Sequence, residues 1–265
     1  MRAAAALGLL ALCGAAGAPP EGELRFVSCP IYRNTDSGPK SGCWLVDDPA
    51  TGFRYDVSLA PSKPDWNQAV LVEGKLAASQ IDACGGQTLD PVRVSIVPTP
   101  CTRFMIEAGA YSGHTFALPR RNVRPLYETR TRPGRPYAVR TFTIPFDLGS
   151  SFIVYQLGDY YTDAAINYAL DVQPARVVVT GYAQTEPVTV SGQTIVEPVG
   201  LARERAEHVA QAFILQGIAR DRISVVEAPA SPTANEAFDG LQSASYRRVE
   251  VTIEPLAQST PNRAG

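Results

Sequence analysis

Apolar and polar positions follow two different periods along the chain. In the first part, short apolar runs recur at residues 42–46, 53–58, 69–76, 92–97 and 115–118, a pattern that predicts β-strands. Asp47-Asp48-Pro49, Pro61-Ser62-Lys63-Pro64-Asp65 and Cys84-Gly85-Gly86 punctuate them, with the residue types that turns require. From residue 141 the period changes. A strand over 141–146 precedes a helix from about Thr162, a good N-cap, to Val172, with Ile166, Ala169 and Leu170 on one face. The branched run at 176–180 predicts a buried central strand. A second helix spans about 198–216, its stripe formed by Leu201, Ala206, Val209, Ala210, Phe213 and Ile214. Pro198 suits the first turn of that helix, and Gly217 suits the position beyond its end, followed by Ile218. Strands at 222–226 and 247–254 complete the set, with Val249, Val251 and Ile253 facing one way and Glu250 and Thr252 the other. The order strand, helix, strand, helix, strand, strand predicts helices on one face of a mixed sheet.

Composition sharpens this picture. The chain has 265 residues, 45% of them hydrophobic and 19% charged, with a net charge of −2; one or two globular domains are expected, with no polyanion as partner. The 22 prolines point to a loop-rich, β-containing chain. The only histidines are His114 and His208, which excludes a multi-histidine metal site and leaves few candidates for histidine-driven catalysis. No Gly-x-Ser-x-Gly sequence and no recognisable carboxylate pair is present. The expectation is a non-enzyme without cofactor or metal.

Residues 1–18 read as a signal peptide: Arg2, an apolar stretch from Ala3 to Leu12, then small residues from Gly14 to Ala18. Cys13 faintly resembles a lipoprotein cleavage box, but the large Leu12 stands where a small residue belongs. No later stretch approaches the roughly 20 apolar residues needed to span a bilayer. Four further cysteines, Cys29, Cys43, Cys84 and Cys101, lie before residue 102; an even number in an exported chain predicts disulfides. Three pairings are open, and short loop closure favours Cys29–Cys43 with Cys84–Cys101. The absence of a Cys-x-x-Cys knuckle argues against zinc. Domain boundaries follow: 1–18 signal, 19–119 a disulfide-containing β domain, 120–140 a connector, 141–256 a second domain, 257–265 a tail. The connector holds seven arginines, opposed by Glu128 alone, with prolines at 125, 133 and 136; it reads as an extended, solvated linker, or as a basic stripe meeting an anionic surface.

The order Cys43-Trp44-Leu45-Val46-Asp47-Asp48, Tyr55-Asp56-Val57, Val70-Leu71-Val72-Glu73-Gly74-Lys75-Leu76 resembles an OB-type five-strand barrel. Its aromatics Trp44, Phe53, Tyr55 and Trp66 are either a stacking face or, the more ordinary reading, core and rim. The second domain resembles the OmpA-like, peptidoglycan-associating family. The residues that carry the resemblance are Ile144-Pro145-Phe146-Asp147, Gly181-Tyr182-Ala183-Gln184, Leu201-Ala202-Arg203-Glu204-Arg205-Ala206-Glu207-His208-Val209, Gly217-Ile218-Ala219-Arg220-Asp221-Arg222-Ile223 and Tyr246-Arg247-Arg248-Val249-Glu250-Val251. The fold class expected is therefore α+β: a small disulfide-stapled, OB-like all-β barrel, then an OmpA-like two-layer α/β sandwich with a mixed sheet.

The resemblance implies a periplasmic or outer-membrane-associated protein that binds the diaminopimelate end of the peptidoglycan stem peptide without catalysis. In the family an aspartate meets the ammonium group and an arginine grips the carboxylate. Here Arg205 stands at the arginine position, but Gln184 replaces the aspartate and Pro198 a helix-entry asparagine. Arg247 and Arg248 are further candidates, of which strand alternation sends only one to the pocket side. Glu186 or Glu197 could supply the missing carboxylate, and Arg205 could instead pair with Glu204 or Glu197. An inserted hairpin over 188–195, turning at Ser191-Gly192, could lie over the pocket. The second reading, favoured by these departures, is an envelope protein–protein scaffold that has lost wall binding.

Overall fold

The computed structural model describes residues 22–35, 42–80, 84–108, 125–155, 157–229, 234–235 and 239–256. Residues 1–18, Cys13, the strand expected at 115–118 and the tail at 257–265 lie outside the described residues.

The N-terminal unit is one seven-stranded sheet built from β1 (Leu24–Ser28), β2 (Pro30–Arg33), β3 (Cys43–Asp47), β4 (Arg54–Asp56), β5 (Gln68–Leu76), β6 (Gln87–Pro100) and β7 (Phe104–Ile106), in the order β1-β5-β6-β4-β3-β2-β7. Strands β3 to β6 overlap the first four of the five apolar runs of this region, whereas β1, β2 and β7 were not marked by them. The β1–β5 and β5–β6 pairs are antiparallel, while β2–β7 and β4–β6 are parallel. Its core holds Phe26, Trp44, Val46, Tyr55, Val70, Val72 and Val94. Trp44 and Tyr55 are buried there, with Phe53 and Trp66 packed against them at the edge, so the aromatics are core and rim. Tyr32, Trp44 and Trp66 meet at 4.6–5.0 Å, within the favourable range for aromatic pairs.

The disulfides join Cys29 to Cys101 and Cys43 to Cys84, not the sequential pairs that loop length favoured. The reason is topological. Parallel pairing sets Ile31 of β2 against Phe104 of β7, which brings together the cysteines that precede those two strands. Ladder formation closes the long loops, and the sulfurs then link what is already adjacent.

The C-terminal unit is a four-stranded sheet in the order β12-β9-β13-β8, from β8 (Arg140–Pro145), β9 (Pro174–Gly181), β12 (Ile223–Glu227) and β13 (Arg248–Pro255). The β9–β12 pair is parallel and β13 runs antiparallel to both its neighbours, giving the mixed sheet expected. Helices α1 (Asp159–Val172) and α2 (Leu201–Leu215) bury Ala165, Ala169, Ala206, Val209 and Phe213 against Ile144, Val177, Val179, Val249, Val251 and Ile253. Helix α1 starts before Thr162, with Gly158 as its N-cap. The Thr162 hydroxyl donates to the Gly158 carbonyl at 2.7 Å, which is the back-bonding of a threonine inside a helix.

The end of α2 behaves as its sequence indicates. Gly217 sits at φ +97°; its N–H donates to Ile214 O and that of Ile218 to Phe213 O, the paired bonds of a Schellman stop. Gly181, at the end of β9, has a different duty: a Cβ there would lie 1.8 Å from the Ala202 carbonyl, so only glycine allows α2 to approach the sheet this closely. The described part of the connector is not a free linker. A 3-10 turn at Leu126–Thr129 lies on α1, where Asn167 Nδ2 donates to Thr129 Oγ1 at 2.9 Å, and the Thr129 hydroxyl bonds Asp163.

The hairpin expected at 188–195 forms, as β10 (Val188–Val190) and β11 (Gln193–Ile195), turning at Ser191 and Gly192. It lies against the N-terminal unit. Val190 and Ile195 join Val27, Ala69, Leu71 and Val97 in a small apolar core between the units, and the Val27 N–H donates to Ser191 Oγ at 3.0 Å.

Candidate ligand site

Arg205 projects from the first half of α2 toward the chain between β8 and α1. It is fully buried. A guanidinium has five N–H donors, and all five meet protein oxygens. Nε donates to Ser150 O at 2.8 Å; Nη1 donates to Tyr182 O at 2.9 Å and Glu197 Oε2 at 3.0 Å; Nη2 donates to Asp147 O at 3.0 Å and Glu197 Oε1 at 2.5 Å. The bidentate fork that would hold a ligand carboxylate therefore holds the carboxylate of Glu197.

Glu197 is anchored on its other side as well. Its two oxygens accept from the N–H groups of Gly149 and Gln184, each at 2.8 Å. Burial alone would push its carboxyl up, but the bonds and charge of Arg205, with Arg247 behind, hold it below the ordinary value. Of the carboxylates open from the sequence, Glu197 is the one beside Arg205. Glu204 instead accepts from Ser151 Oγ at 2.7 Å, and exposed His208 sits 2.9 Å from Ser151 O through Nδ1.

Gln184 is buried, and its side-chain oxygen accepts from Arg25 Nη2 of β1 at 2.9 Å. In this fold the Gln184 side chain thus faces a cation of the N-terminal unit, the Arg25 guanidinium. Arg247 and Arg248 point in opposite directions, as alternation requires. Arg247 is fully buried and ion-paired to Glu73 of β5 through both of its terminal nitrogens. Arg25 Nε completes the cluster, 3.1 Å from Glu73 Oε1. Arg248 lies on the far face, stacked 3.8 Å over the Tyr182 ring and bonded to Glu250 Oε1 at 2.7 Å. Arg205, Gln184 and Arg247 thus share one buried network, and Arg248 stands apart from it.

Around this network the N-terminal unit forms the wall. Arg93 of β6 donates to Asp239 Oδ2 at 3.0 and 2.7 Å. Ser62 Oγ donates to Asp147 Oδ2 at 2.6 Å, and the Leu148 N–H donates to Ser95 Oγ at 3.0 Å. Asp147, from the Ile-x-Phe-Asp landmark, has its other oxygen buried without a hydrogen-bond partner among the described residues. Burial pushes its carboxyl above the ordinary value, against the pull of Ser62, Arg93, Arg247 and Arg205.

Glu73, Arg25 and Arg93 were not expected at this site. A signal for two of them existed: Glu73 and Arg93 are charges set directly between buried neighbours within their strands, Val72 and Gly74 in one and Val92 and Val94 in the other, and a buried charge demands a partner. That the partners lie about 150–170 residues away could be learned only from the folded chain. Among the described residues, no group of three or more histidine, cysteine, aspartate or glutamate side chains could hold a metal ion, and no helix is long and apolar enough to cross a membrane.

No family model matches the chain, and no curated protein does. The chain is similar to several solved structures over about half its length. The OmpA-like domain of FopA1 from Francisella tularensis subsp. tularensis SCHU S4 is 19% identical over 46% of this chain and 77% of that one, with a TM-score of 0.34. The peptidoglycan-associated lipoprotein from Burkholderia pseudomallei is 20% identical over 43% and 90%, with a TM-score of 0.30. The cell wall anchor of the T6SS from Pseudomonas aeruginosa is 20% identical over 51% and 95%, with a TM-score of 0.34. This chain is thus similar to OmpA-like and cell-wall-associated structures through roughly half its length and at low overall superposition.

Proposed function

We propose that this chain is a non-catalytic protein of the cell envelope in which an OmpA-like unit serves as a scaffold, its ligand pocket closed by its own Glu197 and by the N-terminal unit. The observation that carries the reading is the state of Arg205: no exposure, five donors, five protein acceptors, two of them the oxygens of one internal carboxylate. A stem-peptide carboxylate would have to displace Glu197 and leave a second buried charge uncompensated, a loss of several kcal/mol. The five ordered landmarks of the second half support the OmpA-like reading, and the disulfides accord with an oxidising compartment outside the cytoplasm. Peptidoglycan binding, which the same landmarks imply, would require Arg205 to exchange partners.

Cosedimentation with isolated peptidoglycan sacculi, with free diaminopimelate as competitor, tests this. The scaffold reading expects no binding that diaminopimelate displaces. Displaceable binding by the wild-type protein, matched by saturable protection of the Arg205 region in hydrogen exchange, would overturn it and make the pocket a working wall site.

A further inference from the structure

The edge of the C-terminal sheet points to a second copy of this chain. Strand β12 is the last strand of its sheet, and among the described residues no strand pairs with its outer side. The Ala228 N–H donates to Gly181 O of β9 at 2.9 Å. Alternation along the strand then turns the backbone groups of Val226 and Ser224 toward β9 and those of Ile223, Val225 and Glu227 outward. Sheets usually protect such an edge with lysine, proline, a bulge or a covering segment. This one, Ile-Ser-Val-Val-Glu, has no lysine, no proline and no register shift against β9, and Val226 is 41% exposed.

Beside the edge runs a groove of about 600 Å³ between α2 and β12. Ile223, Val225 and Ile214 give it an apolar floor, and Arg203, Glu207 and Arg220 give it a charged rim. Arg203 pairs with Glu207 at 3.0 Å, whereas Arg220 makes no ion pair among the described residues. The groove is therefore left with one positive charge to match.

We propose that two copies of the chain pair antiparallel through β12, joining their four-stranded sheets into one. A strand edge meets its own copy about a twofold axis, and two features select the register. Centring on Val225 sets all three outward-facing residues against one another: Val225 opposite Val225 of the second copy, and Ile223 opposite its Glu227, twice. Each such pair exchanges two backbone hydrogen bonds. The same register carries Glu227 of each copy to the groove side of its neighbour's sheet, opposite Ile223 and beside Arg220. Shifting the centre to Ser224 would instead set Glu227 against Asp221, a like-charge contact. The occupant that satisfies the outward-facing amides, the groove and its spare charge together is β12 itself.

Sedimentation velocity of the purified protein across a concentration series tests the pairing. A dimer is expected in the micromolar range. Val225→Pro removes the two central bonds, and because the lost N–H faces outward the monomer keeps its fold; its dissociation constant should rise at least about thirtyfold with an unchanged circular dichroism spectrum. Glu227→Arg should weaken the dimer about tenfold, and adding Arg220→Glu should restore it. A protein that stays monomeric to about 100 μM, or a dimer indifferent to Val225→Pro, would overturn the proposal, including the case in which the edge receives a segment of a different protein. None of these outcomes depends on Glu197 or on sacculus binding.

Discussion

The two halves of this molecule are held together by different means. The N-terminal unit has no α-helix among its described residues, pairs strands that are far apart in sequence, and carries both disulfides, which close separations of 72 and 41 residues. The C-terminal unit has no cysteine and relies on two helices laid on one sheet face, with a fully buried arginine–glutamate pair beyond the core. Where the halves meet there is no disulfide among the described residues, but a second fully buried arginine–glutamate pair, Arg247 with Glu73, recurs. The seam is an apolar cluster of six residues from both units plus ion pairs whose members come from opposite units. A chain with one stapled half and one packed half thus becomes a single structure through an apolar seam and buried charges that pair across it.

The comparison is broken most strongly by reduction. Closing loops of these lengths stabilises by about 4 kcal/mol per bond in the chain-entropy account, so reducing both should unfold the N-terminal unit first. Near-ultraviolet circular dichroism would report loss of the Trp44–Trp66 environment while the helical signal of α1 and α2 persists. Loss of both signals together would mean that the seam couples the units more tightly than the disulfides distinguish them.

Next in size is the seam itself. Glu73→Ala leaves Arg247 buried without its carboxylate, and removing one partner of a buried pair costs about 3–5 kcal/mol. Urea denaturation should then split into two transitions, with the C-terminal unit no longer reporting the N-terminal one. Ile195→Ala, which hollows the apolar part of the seam, should cost about 2–4 kcal/mol and lower the midpoint without exposing a charge.

The smallest effect is expected from pH. Glu197 has its carboxyl held below the ordinary value of 4.5, so its contribution is fully present above that value. It is lost as pH falls through the depressed one, because the unfolded chain binds the proton more readily. Asp147, pushed up by burial, works the other way and partly offsets this. Chemical denaturation at a series of pH values should therefore show stability falling only below the ordinary carboxylate range, with Glu197→Gln flattening that limb. An unchanged limb in the variant would show that other carboxylates govern acid unfolding.

Legibility in the sequence followed the locality of each signal. The body and the end of α2 were readable because its stripe and Gly217 act within one or two turns; its start is at Leu201 with Gly200 as N-cap, which leaves Pro198 outside the helix rather than in its first turn. The β9 and β13 strands were readable because apolar side chains recur on the faces that the core covers. Strands β1, β2 and β7 were not, because their partners are distant and their own apolar runs are short. Thr162 misled for a related reason: as an N-cap and as a residue back-bonded inside a helix it has the same local chemistry. Arg205 stood out in the sequence by its place in the α2 landmark, but Glu197, its partner in the fold, was one of several carboxylates within reach along the chain.

By itself the sequence determined the period of each segment, hence the two kinds of unit, the helix stops, and the presence of charges that folding would have to bury. Tertiary structure alone decided which cysteines meet, that Glu197 fills the fork of Arg205, and that Glu73 reaches Arg247 across 174 positions. The physical reason is that secondary structure is set by side chains a few residues apart, whereas a buried charge takes whichever opposite charge the assembled sheets bring within hydrogen-bond range.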